Sequence, residues 1–133
     1  MGAFSNTKIG LRTWEASMTN TNPSFALGRL KTGQMNKTEA AYGAHLALRQ
    51  HAGEIHWHKF EGLKLRLADN TFYTPDFAVM AADGVMELHE VKGFWQDDAR
   101  AKIKIAADMY PFRFIAIKAK TKKAGGGWEV EAF

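Results

Sequence analysis

Glu90 and Lys92 stand two residues apart in the run Glu90-Val91-Lys92-Gly93, and Asp76 stands upstream in Tyr73-Thr74-Pro75-Asp76-Phe77. On an extended strand, residues i and i+2 project to the same face. Glu90 and Lys92 are therefore expected side by side, and a neighbouring strand beginning near Asp76 can bring a second carboxylate to them. Two carboxylates make a hard-oxygen site of the kind that suits Mg²⁺. A lysine beside such an ion can position or deprotonate a water, or stabilise charge on a phosphate. Together these groups are equipped for phosphodiester hydrolysis.

Elements able to hold this trio can be read along the chain. Asn36 followed by Glu39 forms a capping-box pattern, which predicts a helix over 36–52, rich in Ala and ended by Gly53. Extended runs follow at 54–60, 64–67, 72–80 and 85–92, with Asp69-Asn70 and Asp83-Gly84 as turns. Asp97 or Asp98 caps a second helix over 99–110, stopped by Pro111. A strand at 112–119, a turn at Gly125-Gly126-Gly127 and a last strand at 128–133 complete the series. This order predicts an α/β fold, a mixed central sheet flanked by helices, with the site on two adjacent central strands.

The chain has 133 residues, 46% of them hydrophobic and 24% charged, which fits one domain with a real core. With no Cys, disulfides and thiolate zinc sites are excluded. No run reaches the length of a membrane span, and no signal-peptide pattern opens the chain, so a non-membrane, intracellular protein is expected. The net charge of +4 is carried by the first 38 residues, where Lys8, Arg12, Arg29, Lys31 and Lys37 face only Glu15. Residues 1–35, polar and without periodicity, are expected to form a basic arm, with a short strand or turn near Phe25, ahead of a domain over 36–133. Arg113, Lys118, Lys120, Lys122 and Lys123 form a second basic cluster. Such arms and patches favour a polyanionic partner.

Across 36–120 the chain resembles the PD-(D/E)xK nuclease superfamily. Pro75-Asp76 stands at the family's Pro-Asp, Glu90 at its second acid, Lys92 at its catalytic lysine, and Glu39 at the helical Glu that often completes the metal site. The runs Lys37-Thr38-Glu39-Ala40-Ala41-Tyr42 and Ala99-Arg100-Ala101-Lys102-Ile103-Lys104 bring it nearer to a phage-associated group of small nuclease-like proteins. Archaeal-type Holliday junction resolvases share the general core. The resemblance implies a restriction-endonuclease-like fold: helix, three antiparallel strands, helix, strand, strand. It implies a DNA endonuclease in which Asp76, Glu90, the Val91 carbonyl and Glu39 hold Mg²⁺ or Mn²⁺ while Lys92 acts on water and phosphate. So small a domain leaves little room for base reading, so recognition of DNA structure or backbone is expected, in a cytoplasm that is the host's if the chain is phage-encoded. A homodimer would cut two strands. Two other readings stand beside this one: a DNA-binding or assembly protein without catalysis, and a nuclease subunit active only with a partner.

Each candidate has a plainer reading. Asp76 is also a turn former at a strand start, Glu90 and Lys92 an ion pair on an edge strand, and Glu39 the closing residue of a capping box. Arg100 and Lys104 share a helix face, for phosphate or for Asp97 and Asp108. Lys31 and Lys37 are further phosphate candidates. Trp95, just past Lys92-Gly93, is the aromatic expected to meet substrate, while Trp57 and Trp128 are expected in the core. Phe72, Phe77, Val79, Met86, Leu88 and Val91 are expected to bury the site strands. His56 and His58 alternate on one strand face and could offer two metal ligands, but no third ligand completes a zinc site, and His89 is expected to point away from Glu90.

Overall fold

The computed structural model describes residues 33–92 and 97–133. The basic arm, apart from its last three residues, lies outside the described residues, with Lys31, the segment near Phe25 and Trp95. Helix α1 (Lys37–His51) opens with the expected capping box, in which Asn36 Oδ1 accepts from the Glu39 amide and Glu39 Oε1 accepts from the Asn36 amide. Strands β1 (Ile55–Phe60), β2 (Leu65–Ala68), β3 (Thr71–Tyr73), β4 (Phe77–Ala81) and β5 (Met86–Lys92) follow. Helix α2 (Asp97–Met109), strand β6 (Arg113–Ala119), a short 3₁₀ turn (Lys122–Ala124) and β7 (Trp128–Ala132) complete the order.

The run over 72–80 is not one strand. It splits into β3 and β4, which belong to different sheets, and Thr74-Pro75-Asp76 lies between them. Proline has no amide hydrogen to give a ladder, so the chain breaks where the motif sits. β2 and β3 form a separate antiparallel hairpin, and the main sheet has the order β1-β4-β5-β6-β7. Among the described strands only β5 and β6 run parallel, as the α2 crossover between them requires. The fold is thus mixed α/β, with a central mixed sheet flanked by two helices.

Strand alternation divides the core into two layers. Phe77, Val79, Val91 and Ile117 pack with Tyr42 and Leu46 of α1. Ala78, Leu88 and Phe114 pack with Ile103 and Ala106 of α2 and with Leu65, Leu67 and Tyr73 of the hairpin. The structure corrects three burial expectations: Phe72 and Trp57 are exposed, and Met86 is only partly buried. Trp128 packs at the margin of the α1 layer. No helix among the described residues is long and apolar enough to cross a membrane.

Candidate active site

β5 presents its residues to alternate faces. Leu88 lies in the α2 layer and Val91 in the α1 layer. Glu90 and Lys92 therefore share the α2 face with Leu88. Lys92 Nζ lies 3.3 Å from Glu90 Oε1, with the Glu90 side chain 9% exposed and that of Lys92 34% exposed. The other oxygen, Glu90 Oε2, accepts from the Tyr73 hydroxyl at 3.2 Å. Tyr73 was not a sequence-level candidate, although it opens the motif that contains Asp76. Its role depends on the hairpin folding over β5.

β4 runs antiparallel beside β5, with Phe77 opposite His89. Asp76, one residue before β4, is fastened by the Val91 amide, which donates to Asp76 Oδ2 at 2.8 Å. Val91 thus enters the site through its backbone N–H. Burial pushes the Asp76 carboxyl up to about 8; the Glu90 charge adds to this, and the Val91 N–H opposes it. Burial also raises Glu90, against the pull of Lys92 and Tyr73. The two carboxylates titrate as a pair. Desolvated anions held together favour either a proton or a cation.

A cavity of about 310 Å³ opens beside this cluster, lined by Tyr73, Thr74, Glu90 and Lys92 on one side and by Asp98 and Lys102 of α2 on the other. Lys102 is the α2 cation on the cavity wall. Arg100 instead forms a two-pronged pair with Glu131 of β7, at 3.1 and 3.0 Å. This pairing forms because α2 lies over the sheet and within reach of β7. Lys104 is exposed, and its charge helps lower the Glu131 carboxyl, after the Arg100 hydrogen bond and charge. Lys37 is exposed at the start of α1.

Glu39 is half-exposed, with Oε1 bound into the capping box at 2.8 Å. Its charge nevertheless contributes to raising Asp76, behind burial and Glu90. Among the described residues, no three His, Asp or Glu side chains cluster closely enough to hold a metal. The acidic centre is therefore the Asp76–Glu90 pair. Two carboxylates fit a hard divalent ion that keeps waters or takes phosphate oxygens for its remaining positions.

His56 and His58 take separate partners, the Ala82 carbonyl and the Gln50 side chain, so they do not act as a ligand pair. His89 points to the α1 face as expected, hydrogen-bonded at Nδ1 by Tyr42. Arg113 leaves the expected basic cluster, because it pairs with Asp83 and Glu87. No family model, curated protein or solved structure matches this chain.

Proposed function

We propose that this protein is a divalent-metal-dependent DNA endonuclease with a restriction-endonuclease-like core of the PD-(D/E)xK type. The observation that carries the reading is the joining of Asp76 to Val91 while Glu90 and Lys92, on either side of Val91, face one cavity. A buried carboxylate pair has little reason to persist unless it holds a proton or a cation. The order of α1, the β1-β4-β5 meander, the α2 crossover and β6 supports the same core.

Asp76 and Glu90 would hold Mg²⁺ or Mn²⁺, with the Val91 carbonyl, and Glu39 would add negative charge from the margin. The ion's contribution is Lewis-acid polarisation of a phosphate oxygen. Tyr73 orients the Glu90 carboxylate. Lys92, half-exposed at the cavity, is placed to leave Glu90, hold a water and donate to the phosphate oxygens as charge builds on them. The water oxygen bonds to phosphorus as the bridging P–O bond breaks, and one water proton ends on the departing oxygen. Lys102, with Lys104 and Lys37 further out, would meet the flanking phosphates. Such contacts carry no base information, so recognition rests on backbone and DNA structure.

Incubation with labelled linear, nicked, flapped and four-way DNA, with Mg²⁺ or Mn²⁺ and with EDTA, tests this reading. Metal-dependent products from the wild type and none from Lys92→Ala are expected. A DNA-binding protein without catalysis would retain DNA and give no products in any metal.

A further inference from the structure

We propose that a second cavity, on the α1 face of the sheet, is a binding site for a nucleoside phosphate. This inference stands apart from the nuclease reading, because it uses none of the same side chains. The cavity is about 550 Å³, within the range of small-molecule sites. Tyr42, His45 and Arg49 line it from α1, Glu87 and His89 from β5, and Trp128 from β7. Strand alternation puts it on the opposite side of β5 from Glu90 and Lys92.

Its inner wall is already satisfied. Glu87 accepts from His89 Nε2 at 2.9 Å and from Arg113 Nη1 at 3.1 Å. These bonds hold its carboxyl below the usual range, the His89 bond contributing most, so it is an anion. His89 therefore carries its proton on Nε2 and accepts from the Tyr42 hydroxyl on Nδ1, at 2.6 Å. Burial raises the Tyr42 hydroxyl, which keeps it a donor. Glu87, His89 and Tyr42 are bound to one another, and the Arg49 guanidinium stands beside the Tyr42 hydroxyl, its charge and hydrogen bond acting against burial. Arg49, His45 and Trp128 form the part of the wall that would meet a ligand.

Those three suit a flat ring joined to an anion. Among the described residues, the carboxylate paired with Arg49 is Glu54, at 3.9 Å, the outer limit of an ion pair. Trp128 is half-buried and braced edge-on by Tyr42, with centroids 5.0 Å apart and planes at 77°. His45 stands beside it, at 6.2 Å. The turn that delivers Trp128 is basic. The Lys120 amide donates to the Gly127 carbonyl at 3.0 Å, and Thr121 caps the 3₁₀ turn that carries Lys122 and Lys123. Lys120, Lys122 and Lys123 are exposed, and none is paired with a carboxylate among the described residues. An aromatic wall and a guanidinium, with a lysine-rich turn joined to the lining residue Gly127, suit a base and its phosphate.

The ligand can be a free nucleotide or an unpaired nucleotide of a single strand, and the two are separable. The full-length protein is titrated in EDTA, so cleavage plays no part, with thymidine and adenosine monophosphates by ligand-observed NMR. A labelled hexathymidylate is followed by anisotropy. Binding of the monophosphates identifies a free-nucleotide site, and binding of the oligonucleotide alone identifies a single-strand site. In either case Arg49→Gln and Trp128→Leu should each weaken binding at least tenfold, while Lys102→Gln, on the other face, leaves monophosphate binding unchanged. Should Trp128→Leu lower the melting temperature, Arg49→Gln decides alone. Failure of wild type to bind either probe, or unchanged affinity in Arg49→Gln, overturns the proposal.

Discussion

The Val91 amide donates to Asp76 Oδ2 across 2.8 Å, so the residue between Glu90 and Lys92 fixes the carboxylate of the other motif. One hydrogen bond from a backbone amide to a side-chain carboxylate joins segments 15 residues apart. It forms because β4 and β5 pair antiparallel, and because Asp76 stands one residue before β4.

Lys92→Ala should reduce metal-dependent cleavage on the order of 10²-fold or more, the scale of losing one transition-state-stabilising group. The Lys92 side chain is 34% exposed, so the melting temperature should change little. Cleavage at the wild-type rate would remove Lys92 from the mechanism.

Asp76→Asn and Glu90→Gln should each weaken Mn²⁺ binding by calorimetry, since each removes one anionic oxygen ligand from the pair. Glu39→Gln should have a smaller effect, because its Oε1 is occupied by the Asn36 amide. Wild-type Mn²⁺ affinity in both the Asp76 and Glu90 variants would refute the ligand assignment.

Stability of the metal-free protein should fall as pH rises. Burial lifts the Asp76 carboxyl from 3.8 to about 8, so between these values the folded state binds more protons than the unfolded chain. The associated stability is complete below about pH 4 and is lost as pH rises through about 8. Glu87, Asp83 and Glu131 are lowered and act in the opposite sense, with their stability lost in the acid range below the window of Asp76. Melting curves from about pH 5 to 9 should therefore slope downward, and Asp76→Asn should flatten them. Mn²⁺ should raise the melting temperature more at the alkaline end, where it does not compete with protons. A flat wild-type profile would show that Asp76 is an ordinary exposed carboxylate.

Lys102→Gln and Arg100→Gln should separate two roles on one helix. Lys102 lines the cavity that Glu90 and Lys92 face, so on the nuclease proposal its loss should weaken DNA binding and lower the slope of log K against log salt by about 0.9, one phosphate contact. Arg100 is committed to Glu131, so its loss should leave the salt slope unchanged and reduce stability slightly. The reverse pattern would return Arg100 to the DNA surface.

Tyr42→Phe should destabilise the fold by about 1–3 kcal/mol, because the buried His89 Nδ1 loses its donor. Denaturant titration with an unchanged midpoint would mean that the hydroxyl is dispensable to the core.

Local chemistry in the chain determined much of this protein. The capping box of Asn36 and Glu39, the turn at Asp83-Gly84, the stop at Pro111 and the shared face of Glu90 and Lys92 all depend on residues a few positions apart. Their energetics are complete within a turn of helix or a short strand. Tertiary structure alone decided the relationships that span the chain. The split at Thr74-Pro75-Asp76 depends on β3 finding β2 while β4 finds β1 and β5, and sequence alternation is the same whichever partner is taken. Arg100 meets Glu131, and Arg113 meets Glu87, because α2 and β6 bring residues 26 to 31 positions apart together. Tyr73 reaches Glu90 only through the folding of the hairpin over β5. The cavity beneath α1 assembles side chains from one helix and three strands, and no short stretch of sequence contains them. Side-chain periodicity specifies which face a residue occupies, while packing specifies what stands opposite it, and the chemistry of both cavities depends on the second.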